Sequence, residues 1–231
     1  MLERQRLSCR CSKGSVPDRA LPPGRNYVLL YLVRHGETDW NKQHRIQGST
    51  DIPLNDTGRE QARRTGKLLA RYHWDAIVAS PLSRAVETAA IIAGEVGLGA
   101  PTTDDRLVER HYGEAEGLDF DEMQRRFPGD TPVPGREKRS EVGARALESL
   151  MDVAVAHPDE SVLVVAHGGL IRAVLRRIDP ESDHGMITNG SVHSFRYEDG
   201  ALSLIAFDDP IEDESVEGED LRAQNSLEAR R

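Results

Sequence analysis

Two histidines follow two apolar segments of the chain in the same way. Residues 28–33 run directly into Arg34 and His35, residues 161–166 run directly into His167, and a glycine follows each histidine. An uninterrupted apolar segment of this length, rich in branched side chains, predicts a buried strand of a parallel sheet. Open α/β sheets bind ligands at the carboxyl ends of their strands. If the two strands are neighbours, we therefore expect both imidazoles in one binding site.

The residue types around these histidines favour the binding of an oxyanion. Arg34 adjoins the first histidine, and Arg84 follows a third predicted strand. Guanidinium groups offer paired planar donors that match a tetrahedral dianion such as phosphate, and a protonated imidazole adds another donor. The amides of Gly168 and Gly169, which open a predicted helix, add partial positive charge. The sequence therefore predicts a phosphate site.

Two other interpretations compete with this one. Each histidine could be a structural residue at the start of a helix, but two imidazoles that both follow buried strands and lie near arginines make that interpretation the weaker one. A metal site would need acidic ligands close by, whereas arginines repel a cation. We therefore expect no metal at this site and prefer phosphate chemistry.

The elements that must position these side chains alternate along the chain. Apolar runs are followed by helical patterns, which is typical of βαβ units and a mainly parallel sheet. Thr57 and Ser83 are placed to cap the next two helices. The further predicted elements are a short strand at Leu107-Val108, a short helix over residues 119–127, a longer helix from Ser140, and a closing hairpin over residues 192–207. The predicted fold is a three-layer α/β/α sandwich with an antiparallel edge.

Composition and charge limit the class of protein. The 231 residues are 38% hydrophobic and 30% charged, with a net charge of −9, which suits one sizeable α/β domain. The acidic excess argues against a nucleic-acid or anionic-membrane surface. No apolar run approaches a membrane span, and residues 1–24 lack the apolar centre of a signal peptide. We expect a cytoplasmic protein.

The two ends of the chain differ from its middle. Residues 1–26 carry six basic and two acidic side chains and predict a disordered basic arm, whereas residues 208–231 carry nine acidic and three basic side chains and predict a disordered acidic tail. Residues 27–207 remain as one predicted domain. Cys9 and Cys11 are the only cysteines, and without a second pair to complete a zinc site we expect free thiols.

Several motifs occur in a definite order over residues 28–207. They are Leu32-Val33-Arg34-His35-Gly36-Glu37-Thr38, Asn41, Gln47-Gly48, Asp51-Ile52-Pro53-Leu54, Gly58, Ser80-Pro81-Leu82-Ser83-Arg84-Ala85, Thr88-Ala89, Glu109 and Val165-Ala166-His167-Gly168-Gly169. This ordered set resembles the histidine phosphatase superfamily, the phosphoglycerate mutase-like proteins. The whole set is far more specific than a lone Arg-His-Gly would be.

The resemblance implies a phosphohistidine mechanism. His35 would be the nucleophile, while Arg34, Arg84 and His167 would hold the phosphoryl oxygens. Glu109 would protonate the leaving oxygen and then activate a water molecule. These five residues form the expected catalytic set, and no metal or cofactor is required. The expected phosphate-binding and substrate-binding residues are Arg34, Asn41, Gln47, Gly48, Arg84, Arg110, Tyr112 and Gly168.

The resemblance leaves two activities open. Glu109-Arg110-His111-Tyr112-Gly113 is similar to the segment around the acid of mutases that depend on 2,3-bisphosphoglycerate. However, Gly117-Leu118-Asp119-Phe120 lacks the lysine expected in those mutases, and no Trp-Arg-Arg segment follows. Gln47-Gly48 with Asp51-Ile52-Pro53-Leu54 is closer to the phosphatases.

We therefore expect a metal-independent phosphomonoester hydrolase that acts on a small phosphorylated metabolite. The alternative is a phosphoglycerate mutase with 2,3-bisphosphoglycerate as its cofactor, and a third interpretation is a catalytically silent phosphate-binding module. The silent module has no need of the acid at Glu109, which makes it the weakest of the three. The sequence leaves open the physiological substrate and whether the protein is a monomer or a homodimer.

Overall fold

The two long apolar segments pair with each other inside a six-stranded sheet. The structure is a computed structural model that describes residues 26–209. In it, strand β1 (Tyr27–Arg34) runs parallel to strand β4 (Ser161–Ala166) in a register that sets Arg34 opposite Ala166. The carboxyl ends of the two strands are therefore level. The prediction that these strands are neighbours is confirmed.

The remaining elements complete a three-layer arrangement. The other strands are β2 (Ala76–Ala79), β3 (Thr102–Thr103), β5 (Val192–Glu198) and β6 (Ala201–Ala206). The helices are α1 (Asp39–Lys42), α2 (Asp56–Leu69), α3 (Ser83–Val96), α4 (Phe120–Arg126), α5 (Arg139–Ala156) and α6 (Gly168–Ile178). The sheet order is β3-β2-β4-β1-β5-β6.

Four strands of the sheet are parallel, and the closing hairpin is antiparallel. β1, β2, β3 and β4 pair in parallel, while β5 pairs antiparallel with both β1 and β6. Asp199 and Gly200 join β5 to β6 with φ angles of 51° and 79°, the left-handed conformation that a tight hairpin turn requires. The predicted fold, mainly parallel with an antiparallel edge, is confirmed.

The apolar core lies on both faces of the sheet. On one face, Leu30, Val162 and Val164 pack with residues of α5 and α6 such as Leu150 and Ile171. On the other face, a second cluster joins β1, β2 and β4 to α3 and the end of α2, with Leu163, Val165, Ala89, Ile92 and Leu69 among its members. All six residues of β4 are buried, because helices cover both faces of the sheet at this strand. This explains why the segment is apolar almost without interruption.

Three local predictions were wrong. The side chain of Asn55, not Thr57, caps α2 by accepting from the amide of Gly58 at 2.8 Å. Ser83 is the first residue of α3, and Leu82 occupies the cap position without a capping side-chain bond. The hydroxyl of Ser83 instead donates to Asp51 at 2.8 Å. Leu107-Val108 is not a strand: β3 lies earlier, and Leu107 ends a short 3₁₀ helix that buries its side chain in the core.

The other predicted elements agree more closely. The short helix expected over residues 119–127 is α4, the helix expected from Ser140 is α5, and residues 192–207 contain the β5–β6 hairpin. The predicted basic arm and acidic tail lie almost wholly outside the described residues. Within residues 26–209, no helix combines the length and the apolar character needed to cross a bilayer.

A contact between two backbone segments ties the loop after β1 to the start of α2. A Cβ atom at Gly36 would overlap with the carbonyl group of Gly58, and a Cβ atom at Gly58 would overlap with the carbonyl group of Glu37. Only glycine at both positions permits this approach. The histidine loop therefore rests directly on the first turn of α2.

We expect Gly58→Ala to destabilise the protein by about 1–3 kcal/mol, because the added methyl group must push α2 away from the loop that carries His35. The matched control is Gly94→Ala in α3, where a Cβ atom would meet nothing within 4 Å. The control should stabilise the protein by about 0.5 kcal/mol, because alanine favours the helix. Thermal unfolding measures both variants, and equal stability of the two would contradict the proposed contact.

Candidate active site

The two histidines stand side by side at one edge of the sheet. His35 follows β1, and His167 follows β4 as the residue that precedes α6. Their ring centroids are 5.1 Å apart, with an angle of 59° between the ring planes. Both side chains are almost completely buried. The strand pairing thus brings together two residues that are 132 positions apart in the sequence.

Backbone contacts orient the His35 ring and the loop around it. Nδ1 lies 2.7 Å from the carbonyl oxygen of Gly36, and because a carbonyl can only accept, we assign the ring proton to Nδ1. The Gly36 amide donates to the hydroxyl of Thr88 at 3.1 Å, and the carbonyl of His35 accepts from Asn189 at 2.9 Å. The loop is thus held on both sides, and Nε2 keeps its lone pair.

The environment keeps both imidazoles neutral. Burial, followed by the positive charges of Arg84 and Arg34, holds the pKa of His35 well below 6.5. The pKa of His167 is also well below 6.5. Burial is the largest cause, and the electrostatic effects of Arg84, His35 and Arg34 follow in that order. Removal of a cation from water and its placement beside other cations both disfavour protonation.

The hydroxyl of Ser80 orients His167. It lies 2.7 Å from Nε2 of His167 and also accepts from the amide of Leu82 at 3.4 Å. We assign the hydroxyl proton to the bond with Nε2 of His167, because an anion in this cationic site needs a donor and Nδ1 is the ring nitrogen that no described residue binds; the imidazole proton is then on Nδ1. Nδ1 is buried and has no hydrogen-bond partner among the described residues. This ring therefore offers one donor for a ligand.

Arg84, the second residue of α3, is fully buried beside the histidines. Its guanidinium donates to the carbonyl oxygens of Gly48 at 2.7 Å and Thr50 at 2.9 Å. Burial lowers its pKa to about 10, although the charge of Glu109 opposes that shift, so the group stays cationic at neutral pH. Its Nε atom is buried without a partner among residues 26–209. The site thus contains a fixed, desolvated positive charge.

Glu116 stabilises the loop over residues 48–50, whose carbonyl oxygens bind Arg84. Its carboxylate accepts from the amides of Ser49 at 3.0 Å, Thr50 at 2.9 Å and Tyr112 at 3.0 Å, and from the hydroxyl groups of Ser49 and Thr50. Burial alone would raise its pKa, but hydrogen bonds from Thr50, Tyr112 and Ser49 outweigh burial and keep the pKa below its ordinary value. Sequence reasoning missed this residue.

Arg34 lies at the end of β1, next to the start of α6. Its Nη1 donates to the carbonyl of Ile187 at 2.5 Å. A Cβ atom at Gly168 would lie 3.3 Å from the Nε of Arg34, so glycine at this position brings the helix start close to the guanidinium. Arg34 and Arg84 therefore place two guanidinium groups around the histidine pair, as the sequence predicts.

Glu109 is buried and held by backbone amides. One carboxylate oxygen accepts from the amide of Arg110 at 2.7 Å, and the other accepts from the amide of Gly169 at 2.8 Å. The second bond corrects one expectation: the amide of Gly169 binds the acid and is not left for a phosphate. A Cβ atom at Gly169 would lie 2.8 Å from the acid and 2.9 Å from the hydroxyl of Tyr112, which explains the need for glycine there.

The remaining expected binding residues lie on two sides of this set. Asn41 and Gln47 are both buried and both hydrogen-bond to Thr38, and Asn41 also accepts from Asn189 at 3.3 Å. The expected residues on the acid side are Arg110, whose Nε donates to the carbonyl of Glu137 at 2.9 Å, and Tyr112, whose ring centroid lies 5.2 Å from the Arg110 guanidinium.

No group of three or more histidine, cysteine, aspartate or glutamate side chains within residues 26–209 is arranged to hold a metal ion. The buried charged residues of the site include Arg34, Arg84 and Glu109, and the positive charges of Arg34, Arg84 and Arg145 act on His167. This donor set suits a tetrahedral anion, since arginines match the paired oxygens of phosphate.

Comparison with known proteins agrees with this geometry. The family model of the histidine phosphatase superfamily (branch 1) matches residues 30–210. The chain belongs to the histidine phosphatase superfamily. Membership makes it an enzyme that acts on phosphate monoesters, consistent with the buried cationic site.

Three relatives show the range of this histidine phosphatase family. The uncharacterized phosphatase PhoE of Bacillus subtilis is 44% identical over 173 residues, which cover 74% of this chain and 89% of PhoE. A 2,3-bisphosphoglycerate-dependent phosphoglycerate mutase of Cytophaga hutchinsonii is 32% identical over 169 residues, 66% of this chain and 79% of the mutase. The solved structure of Bacillus stearothermophilus YhfR has a TM-score of 0.72 and 33% identity, covering 80% of this chain and all of YhfR.

The residues of this site that sequence reasoning missed support other residues and do not themselves line the proposed phosphate site. Glu116 and Asn189 act through carboxylate and amide bonds to distant loops, and no local pattern around them indicated those bonds. Ser80 stood inside a quoted motif, but its bond to His167 spans 87 positions. Such contacts become visible only once the chain has folded.

We expect the rings of His35 and His167 to remain neutral at pH 6.5, where an ordinary histidine is half protonated, because burial and the arginines lower both pKa values. The nitrogen chemical shifts of the imidazoles, followed by NMR against pH, measure this. The urea-unfolded chain serves as reference. Because only the unfolded state gains protons just below pH 6.5, the free energy of unfolding should also fall there. A His35 midpoint at or above pH 6.5 would contradict the assignment.

We expect Glu116→Gln to lower kcat/KM by about tenfold. The NH₂ group of the glutamine side chain would face a backbone N–H group that now donates to the carboxylate, so a hydrogen bond to Ser49 or Thr50 would be lost. The loop whose carbonyl oxygens bind Arg84 would then be less firmly held. The inhibition constant of vanadate should rise in parallel, since vanadate needs the same guanidinium. The matched control is Glu114→Gln, an exposed neighbour that pairs with Arg126 at 3.9 Å. If both variants gave the same kinetics, Glu116 would have no positioning role.

Proposed function

We propose that the protein is a metal-independent phosphomonoester hydrolase that transfers the phosphoryl group of a small phosphorylated metabolite to His35 and then to water. The observation that carries the proposal is the state of His35: a buried, neutral ring whose Nδ1 is bound by the carbonyl of Gly36, which leaves Nε2 as the nucleophile. The bond to Gly36 also supports the positive ring that forms when Nε2 becomes phosphorylated.

In the first step, Nε2 of His35 attacks phosphorus and the bond from phosphorus to the ester oxygen breaks. Glu109 takes up the proton of the monoanionic phosphoryl group of the substrate and gives it to the departing oxygen, so the alcohol leaves neutral. In the second step, a water molecule attacks phosphorus, Glu109 accepts a proton from that water, and the bond from nitrogen to phosphorus breaks. Glu109 then returns the proton to the phosphate product. The products are the alcohol and inorganic phosphate, and His35 is neutral again.

The guanidinium groups and His167 stabilise the charge that moves onto the phosphoryl oxygens during transfer. Arg84 carries a desolvated positive charge with a buried Nε, and His167 presents the Nδ1 proton. Because loops and strand ends hold these groups before the substrate arrives, little reorganisation is needed in the transition state. This fixed charge supports the proposal that no metal is required.

Hydrolysis is preferred over mutase activity for two reasons. The chain is 44% identical to a protein named as a phosphatase and 32% identical to a mutase. In addition, the segment where the mutases are expected to carry a lysine reads Gly117-Leu118-Asp119-Phe120 and contains no basic residue. Within it, the side chain of Asp119 caps α4 by accepting from the amide of Glu122 at 2.8 Å. This segment is thus occupied by a helix start rather than by a cation.

The mutase alternative keeps one observation in its favour. Arg110 and Tyr112, which resemble the mutase segment after the acid, lie on the acid side of the site with the Arg110 guanidinium 5.2 Å from the Tyr112 ring centroid. Cytoplasmic location, the monomeric or homodimeric state and the disordered ends of the chain stay predictions.

Brief incubation with a ³²P-labelled phosphomonoester should label the protein with phosphate that is lost in acid and retained in base, the behaviour of phosphohistidine. His35→Ala should abolish the label and lower phosphatase activity by more than about a thousandfold, because the nucleophile is gone. The matched control is His73→Ala, an exposed histidine outside the site whose loss should leave both unchanged.

A second arm of this experiment separates the two activities. With 3-phosphoglycerate, we expect release of inorganic phosphate whether or not 2,3-bisphosphoglycerate is present, because water is the acceptor. Fast isomerisation that depends on the bisphosphate would overturn the hydrolase in favour of the mutase. Failure of any phosphomonoester to label His35 would leave only a phosphate-binding role.

A further inference from the structure

An arginine of α5 donates to the segment of chain that leads to Glu109. The Nη1 of Arg145 donates to the carbonyl oxygens of Arg106 at 2.7 Å and Val108 at 2.6 Å. Its Nη2 donates to the carbonyl oxygen of Glu109 itself at 3.3 Å. The guanidinium therefore binds the main chain at the proposed general acid and at the residues just before it.

The carboxylate of Glu137 binds the rest of this guanidinium. Its Oε1 accepts from the Nε of Arg145 at 2.8 Å, and its Oε2 accepts from Nη2 at 3.0 Å. Together with the three carbonyl bonds, these contacts use the five N–H groups of the guanidinium. Burial alone would raise the pKa of Glu137, but hydrogen bonds from Arg145 and from the amide of His111 outweigh burial and keep the pKa below its ordinary value. Glu137 is thus charged at neutral pH, and we call this ion pair the Arg145–Glu137 clamp.

Glu137 also pairs with the segment that follows Glu109. Its amide donates to the carbonyl oxygen of His111 at 2.9 Å, and its carboxylate accepts from the amide of His111 at 3.2 Å. The Nε of Arg110 donates to the carbonyl oxygen of Glu137 at 2.9 Å. The Arg145–Glu137 clamp therefore binds the chain on both sides of the acid, before it through the arginine and after it through the carboxylate.

The helix that carries Arg145 packs against the helix that binds the carboxylate of Glu109. A Cβ atom at Gly143 in α5 would lie 3.0 Å from the carbonyl oxygen of Ala173 in α6, so the two helices approach each other closely there. In the first turn of α6, the amide of Gly169 donates to the Glu109 carboxylate at 2.8 Å. One helix thus fixes the main chain of the acid, and the other fixes its carboxylate.

Proton transfer is sensitive to the placement of the acid. A general acid must lie within hydrogen-bond reach of the oxygen that it protonates, and a displacement of about 1 Å can lower a rate by about a hundredfold. Ser149 attaches the start of the same segment to α5 independently, because its hydroxyl donates to the carboxylate of Asp104 at 2.7 Å. Without Arg145, the segment would therefore stay attached to the helix but could shift at Glu109.

We propose that Arg145 is a positioning residue, which together with Glu137 keeps the carboxylate of Glu109 within reach of the leaving oxygen. This inference rests on the proposed hydrolase activity and on the role of Glu109 in it, and it adds the group that sets the position of the acid. Loss of the Arg145–Glu137 clamp should therefore slow the hydrolysis of esters whose alcohol must be protonated more than that of esters whose leaving group departs as an anion.

The test compares two esters of similar size that differ in their need for a proton. The phenolate of 4-nitrophenyl phosphate leaves as a stable anion, whereas the alcohol of 4-nitrobenzyl phosphate must be protonated as it leaves. Because kcat/KM covers only the steps up to the transfer to His35, it does not include the later attack of water. Arg145→Lys should lower kcat/KM for the nitrobenzyl ester by about tenfold and for the nitrophenyl ester by less than about twofold, since lysine keeps the charge but lacks the planar fork that reaches several oxygens at once.

Further variants assign the effect to the clamp. Glu109→Gln is the reference for loss of the acid and should show the largest difference between the two esters. Glu137→Gln keeps the size of the side chain but removes its charge, and it should lower kcat/KM for the nitrobenzyl ester alone by about threefold. This variant decides the question if Arg145→Lys does not fold.

The matched control is Ser149→Ala, which removes a hydrogen bond between the same helix and the same segment. The control should lower the temperature of thermal unfolding, because a buried hydrogen bond is lost. It should leave the ratio of the two kcat/KM values unchanged, because Ser149 binds the segment at Asp104 and not at Glu109.

The outcomes separate the positioning role from the hydrolase itself. Equal losses for both esters in Arg145→Lys and Glu137→Gln would make the clamp a structural support only and leave the hydrolase intact. A change of ratio in Ser149→Ala as large as that in Arg145→Lys would also overturn the inference, because any loosening of α5 would then have the same effect. Equal losses in Glu109→Gln would overturn the inference together with the role of Glu109 as the acid. Hydrolysis of neither ester by the wild-type protein would overturn the hydrolase and the inference together.

Discussion

The parallel pairing of β1 with β4 is the interaction on which the site depends. The register that sets Arg34 opposite Ala166 makes the two strands end at the same level, and each strand then delivers a histidine. A shift of one residue would exchange the faces of every side chain on a strand and separate the two rings. The apolar residues that bury β4 on both faces therefore determine catalytic geometry as well as stability.

Burial of charge is the second organising constraint. Two arginines and one carboxylate are removed from water beside two imidazoles, an arrangement that is costly unless each group is hydrogen-bonded. Carbonyl oxygens of Thr50 and Gly48 accept from the two terminal nitrogens of Arg84, and backbone amides donate to Glu109. The Nε of Arg84 has no partner among the described residues, so it is available for a ligand. The same lack of water lowers the pKa of the histidines and strengthens every electrostatic contact with a phosphoryl group. Stability and reactivity thus have a common origin.

The sequence predicted what depends on local composition. Long apolar segments predicted the central strands, and the ordered motifs predicted the residues that surround the histidine pair. Contacts between distant segments were out of reach: the cap of α2 by Asn55, the support of the Arg84 loop by Glu116, and the bond between Ser80 and His167. The strand at Leu107-Val108 was wrong because apolar character alone does not separate a strand from a buried turn.

The hydrogen bonds that position Glu109 affect which residues around the site can change during evolution. Two of the groups that donate to it are main-chain amides, from Arg110 and Gly169, and every amino acid except proline supplies an amide. The side chain at position 110 can therefore change without loss of the contact that fixes the acid, whereas position 169 is confined to glycine by the space around it. Substrate preference and proton transfer are thereby separable traits, which new members of the fold can acquire independently and which protein engineers can alter one at a time.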